Sequence, residues 1–156
     1  MTKYLIVFFL SMVPILELRF AVPFAVGMDL PYIPALITCI IGNMIPVPII
    51  YLFARKFLIW GAKQKYIGKI CGFFLEKGEK AGKKIVNTTG RGGTFLALML
   101  FVGIPVPGTG AWTGTLAASL LDLGPKTTAA AVSLGVVMAG IIMAVASGSV
   151  FHIVGL

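Results

Sequence analysis

Gly103-Ile104-Pro105-Val106-Pro107-Gly108-Thr109-Gly110-Ala111-Trp112-Thr113-Gly114 holds two prolines, four glycines and two threonines inside otherwise apolar sequence. Proline removes a backbone donor and glycine tolerates positive φ, so a helix is expected to break here. The apolar pieces on either side, 94–104 and 111–121, each fall well short of the roughly 20 residues that carry a helix across a bilayer. Irregular backbone at membrane depth survives only where it faces protein or a watery cavity. The stretch therefore reads as the tip of a re-entrant hairpin whose two short helices enter and leave the membrane from the same side.

The same grammar stands earlier in the chain. Residues 4–13 are apolar, Pro14 interrupts, and 15–27 form a second apolar piece. Met28 to Pro34, with one acidic residue and two prolines, marks a turn at a water boundary. Residues 34–54 then read as one span, which Pro46 and Pro48 should kink. After the second hairpin a turn at 122–126 leads to a second span, 127–151, and a shift of 93 residues places Pro14 on Pro107, Asp29 on Asp122 and Leu30 on Leu123. The expected fold is an all-α membrane protein of two inverted-topology repeats, 1–60 and 93–156, each a re-entrant helical hairpin plus one spanning helix. A basic amphipathic cytoplasmic segment, 61–92, joins them in a single membrane domain. Inverted repeats are the usual frame of small secondary transporters. The alternative is that both broken segments cross fully, giving four or five spans around the same inner loop.

Composition agrees with a membrane setting. Apolar residues make up 58% of the chain, charged residues 12%, and the mean hydropathy is +1.01, a surface no ordinary soluble domain of this size could offer water. The net charge of +8 is concentrated: ten of the thirteen cations lie from Arg55 to Arg91, which by the positive-inside rule keeps that segment in the cytoplasm and the chain in a cell inner membrane. Nucleic-acid binding would want aromatic platforms among those cations, and the aromatics sit mainly with the aliphatic residues instead. The N-terminal apolar run resembles a signal peptide, but it continues past Glu17 and Arg19 with no polar domain after it, so cleavage is not expected. Within the basic segment, Ile67, Ile70, Cys71 and Phe74 recur at helical spacing over 63–84, with Glu76–Lys80 and Glu79–Lys83 as surface pairs and 87–93 as a closing loop. Cys39 and Cys71 fall at different depths and are not expected to pair.

Glu17 and Arg19 are the ionisable residues of the first hairpin, and a charge at membrane depth costs on the order of 3 kcal/mol even on the mildest insertion scale. The functional reading makes Glu17 a proton-binding carboxylate and Arg19 an anchor for an anionic substrate group. The structural reading is an ion pair between them, or one to the other hairpin, that holds two half-helices together. In the second hairpin Pro107, Gly108, Thr109, Gly110, Trp112 and Thr113 are the candidate substrate-binding residues, because the helix starting near Ala111 would aim free amides and its positive end at the cavity. Gly110 and Gly114 could equally form a small-residue packing face. Asn43, alone in the first span, would join a polar network at the site or make a helix–helix hydrogen bond. Asp29 and Asp122 read as helix caps in the boundary turns, and His152 as interfacial. No metal-ligand cluster, phosphate loop or nucleophile–base pair occurs, so no cofactor, metal or enzymatic activity is expected.

Pro14-Ile-Leu-Glu17-Leu-Arg19-Phe-Ala-Val-Pro23, with Pro105-Val-Pro-Gly108-Thr-Gly110-Ala-Trp112-Thr-Gly114 beyond a basic linker, resembles the putative small multi-drug export protein family. That family is distantly akin to DedA-type membrane proteins, which share paired re-entrant hairpins and include lipid and polyprenyl-phosphate transporters. The DedA-type acidic residue of the first hairpin is matched by Glu17. Their second-hairpin arginine has no counterpart, and Arg19 is the one candidate. Together with the functional reading of Glu17 and Arg19, the resemblance leads to the expectation of a secondary transporter, proton-coupled through Glu17, for small amphipathic or anionic-headgroup molecules. The alternatives are a DedA-like lipid flippase or scramblase and a non-transporting membrane scaffold. Partners are then membrane lipid, the small-molecule or lipid substrate, protons and further copies of the chain, since two long spans shield two polar hairpins poorly.

Overall fold

The structure is a computed structural model that describes residues 1–14, 16–106 and 109–154. Its helices are α1 (Thr2–Met12), α2 (Glu17–Gly27), α3 (Tyr32–Met44), α4 (Pro46–Ala62), α5 (Gly68–Gly103), α6 (Ala111–Leu120) and α7 (Pro125–Val154). The prolines act as expected on both broken segments. Val13 (φ −73°, ψ 131°) and Ile104 (φ −79°, ψ 119°) are extended, the conformation a following proline imposes, and each ends its helix. α1 and α2, at 11 residues each, are about 16 Å long, roughly half a bilayer.

Two boundaries differ from the sequence reading. Ile45 remains helical between α3 and α4 (φ −59°, ψ −43°), so the first span runs from Tyr32 to Ala62, 31 residues, and carries Arg55 near its end. The expected loop at 87–93 is instead helical, interrupted at Gly90 alone (φ 69°, ψ 175°). Hydroxyls hold the chain on either side of that break: Thr88 and Thr89 donate to the carbonyls of Lys84 and Ile85, and Thr94 to that of Gly90. The expected linker boundary thus falls within α5. Three helical stretches are long and apolar enough to cross a membrane, Tyr32–Ala62, Lys83–Gly103 and Pro125–Ser147, and the chain is a membrane protein. In the second stretch the Gly90 break leaves 91–103 as a helical piece of about 20 Å, close to the length of α1.

The packing is reciprocal. α1 lies on α2 and α3, and α5 on α6 and α7, while α2 reaches across to α7 and α6 across to α4. Close approach needs glycine at two crossings. A Cβ at Gly42 would meet the Phe8 carbonyl and Ser11 hydroxyl of α1, and one at Gly135 would meet the Met99 carbonyl and Val102 of α5. Asp29 (φ 55°) and Asp122 (φ 54°) cap α2 and α6 at their C-termini as left-handed residues. The amide of the next residue closes each cap in the same way, Leu30 to Ala25 O at 3.2 Å and Leu123 to Ala118 O at 3.1 Å. Both comparisons hold at one offset, 135 − 42 = 93 and 122 − 29 = 93.

Candidate functional site

Breaking the second hairpin leaves amides without partners at the start of α6 and carbonyls without partners at the end of α5. Gly110 is the N-cap of α6 and has no side chain to offer, so the cap comes from the other hairpin. Glu17 of α2 accepts a hydrogen bond on Oε1 from the Trp112 amide at 3.2 Å. A carboxylate at a helix N-terminus gains from the dipole, by up to about 2 kcal/mol where partly buried. Gly110 is indispensable to this seat: its φ is 155°, and a Cβ there would run into the Glu17 carboxylate. Glu17 is 5% exposed and itself holds a positive φ of 47°, a strained conformation of the kind found at binding and switching sites.

Arg19, a half-turn further along α2, takes the opposite end of the break. Its guanidinium donates to Val106 O at 2.5 Å, Ile104 O at 3.2 Å and Thr109 Oγ1 at 2.7 Å, and the Thr109 hydroxyl lies against the same two carbonyls. Cation and carbonyl ends are thereby matched in the favourable sense of the helix dipole. Trp112 returns the contact, its Nε1 donating to Met12 O at the end of α1 at 3.1 Å. Arg19 and Trp112 are again 93 residues apart (112 − 19), so each hairpin lends a side-chain N–H to the carbonyls at the other's break. The hydrogen bonds of Glu17 and Arg19 run to the second hairpin, as two separate stitches.

Glu17, Leu18, Arg19, Gly110 and Ala111 enclose, with Asn43 and Val136 of the two spans, a cavity of about 10 Å³, close to the least space that holds one water molecule. Asn43 is 3% exposed, and its Oδ1 has no hydrogen-bond partner. The helix–helix hydrogen bond expected of it is therefore not made by that oxygen, while its other expected place, beside the site, is where it stands.

The candidate residues divide accordingly. Glu17, Arg19, Thr109, Gly110, Trp112 and Asn43 come together; Pro107 and Gly108 lie outside the described residues. Thr113 is exposed on the far face of α6, because its position follows Trp112 by a quarter-turn or so, and it takes no part in the site. Gly114 packs on Val102, where a Cβ would collide, so the small-residue face serves contact within the chain. The carbonyls of Met12, Ile104 and Val106 were missed by side-chain reasoning, although orphan carbonyls are a necessary consequence of each proline break. Also unforeseen is a charged cluster at the α6–α7 turn, where Arg55 pairs with Asp122 and lies 3.9 Å from Glu79. Glu79 was expected to pair with Lys83; Glu76 does hold Lys80, at 2.5 Å. Cys39 and Cys71 are buried and free. No group of three or more His, Cys, Asp or Glu side chains able to hold a metal is found among the described residues.

Neither the curated proteins nor the solved structures include a match to the chain. One family model, described as "Putative small multi-drug export protein", matches residues 17–142 and so takes in Glu17, Arg19, Asn43 and the whole second hairpin.

Proposed function

The chain belongs to the putative small multi-drug export protein family, and from that premise we propose that it is a proton-coupled secondary exporter of small amphipathic molecules, with Glu17 as the proton-binding group. The two halves are inverted repeats and the broken segments are re-entrant hairpins in this reading. Support comes from the helix lengths and from the reciprocal packing and hydrogen bonding at a constant offset. The basic segment from Arg55 to Arg91 faces the cytoplasm of a cell inner membrane, as the positive-inside rule requires.

The observation that carries the reading is the placement of Glu17 between two competing calls on its carboxyl group. Ionised, it caps α6 through the Trp112 amide and faces the Arg19 charge. Protonated, it loses its charge, keeps only a weaker, neutral acceptor for that amide, and gains an O–H donor, for which the unpaired Asn43 Oδ1 in the same cavity is the available acceptor. Loading a proton therefore loosens the cap on the Trp112 amide, and an anionic substrate group can displace the neutral carboxyl from the helix end. Arg19 acts as a clamp between hairpins, with donors left over to face that group. The ionised carboxylate and the substrate group compete for one helix end, which links substrate occupancy to the protonation state of Glu17.

The test is transport of an amphipathic dye, anilinonaphthalene sulfonate, into proteoliposomes under an imposed pH gradient. Glu17→Gln is expected to fold normally and to lose pH-driven transport at least tenfold. Full transport by Glu17→Gln would remove Glu17 from the mechanism. A second reading, a membrane scaffold, draws on the three contacts of Arg19 to the second hairpin. It requires instead that Glu17→Gln lose thermal stability together with every activity.

A further inference from the structure

The two spans meet at the central cavity, where Asn43 and Val136 stand opposite one another, and they behave differently on its two sides. On the side away from the basic linker α7 lies close on α3. A Cβ at Gly140 would sit 3.1 Å from Leu36 Cδ1 and 3.5 Å from Ile40, so there is room for a glycine and little more. On the linker side α7 stands off from α4, and a groove of about 390 Å³ opens between Val47, Pro48 and Tyr51 on one wall and Pro125, Thr128 and Ala129 on the other. These two sides are counterparts at the repeat offset: 36 + 93 = 129 and 47 + 93 = 140. The pair that shuts one side, Leu36 with Gly140, thus corresponds to the pair Ala129 with Val47, which walls the open one.

We propose that the α4–α7 groove is the cytoplasmic half of the transport path, receiving the apolar body of an amphipathic substrate. Its counterpart between α3 and the far part of α7 is the outer half, shut in this conformation by Leu36 and Ile40 on Gly140. The proposal rests on the inverted-repeat exporter reading. A substrate rather than a passive neighbour is indicated by what lies at the groove's two ends. Met44 closes the deep end, next in the chain to Asn43 of the polar cavity. Tyr51, at the other end, stands one turn before Arg55 and its partner Asp122. An apolar wall of this volume between a polar cavity and a charged rim suits a small molecule with an apolar body and one polar group. Alternation is then an exchange of the two pairs: Val47 closes on Ala129 as Gly140 parts from Leu36.

The experiment uses the full chain with Cys39→Ala and Cys71→Ala in proteoliposomes, mercuric ion as the thiol cross-linker and anilinonaphthalene sulfonate as the transported probe. The Leu36→Cys/Gly140→Cys pair is expected to cross-link rapidly at rest and stop transport. The Val47→Cys/Ala129→Cys pair is expected to cross-link at least tenfold more slowly, stop transport equally, and expose a single cysteine at position 36 to a water-soluble maleimide. An inner pair that never cross-links in a chain that transports overturns the alternation. If Glu17→Gln still abolishes transport in that case, the exporter reading survives without it. Filling the groove by Ala129→Leu, or by Val47→Leu as a second variant, is expected to cut transport at least tenfold. Unchanged transport in both would assign the groove to a lipid acyl chain and overturn the proposal. A wild-type chain that moves no dye, with the Val47→Cys/Ala129→Cys variant still cross-linking, would remove the exporter reading and leave the exchange of conformations standing.

Discussion

Asn43 is the residue at which stability and activity should part company. A buried acceptor without a partner costs on the order of 1–3 kcal/mol, and Val136 already occupies the counterpart position across the cavity. Asn43→Val removes the unsatisfied oxygen without opening much space. It is expected to leave the thermal unfolding midpoint in detergent unchanged or higher, while pH-driven dye transport falls at least tenfold. Loss of stability in step with transport would make Asn43 a structural residue instead. Gly110 illustrates the opposite case: both its φ and the carboxylate against it bar any other residue, so position and chemistry cannot be separated there.

At the level of elements, each hairpin stays in place because its first helix crosses a span at a glycine. Gly42 takes the crossing of α1 and Gly135 that of α5, in each case against a backbone carbonyl that cannot swing aside. Overpacking of this kind typically costs about 1–3 kcal/mol. Gly42→Ala and Gly135→Ala are each expected to lower the unfolding midpoint by several degrees, whereas Gly92→Ala, with open space around it, should not. Equal midpoints for all three would mean that the crossings are looser than their geometry implies. The breaks themselves were legible in the sequence, since the proline at each tip dictates an extended residue before it and orphan groups around it. The Gly90 kink was not, because a run of threonines and glycines reads as a loop unless its hydroxyls find helical carbonyls to bond, as those of Thr88 and Thr89 do.

For the whole molecule, the decisive issue is which water phase each hairpin tip sees. In the re-entrant arrangement, single cysteines at 12–20 and 103–114 that react with a membrane-impermeant maleimide do so from the side on which that hairpin's ends lie. Labels that appear in order from one face to the other along either segment would establish a full crossing instead. Burial also bears on assembly. In an 18-residue window of the Lys83–Gly103 stretch only 17% is buried within one chain, against 39% for such a window in each of the other two, which leaves that helix the most open to a second copy. We expect a homodimer, and mass photometry in detergent is the check: a monomer at every concentration that supports transport would exclude it.

The sequence by itself determined the solvent, the broken helices, the basic central segment and the ionisable residues beside the first break, since each follows from local chemistry: apolar length, proline, glycine and the cost of a charge in hydrocarbon. Tertiary structure decided what those residues face. Glu17 and Arg19, two apart in the chain, turn to opposite ends of a break some ninety positions away (110 − 17 = 93), and Asn43 meets them without a hydrogen bond for its oxygen. Such pairings depend on how helices cross, and helix crossing is set by packing between distant segments, of which no local pattern carries a record.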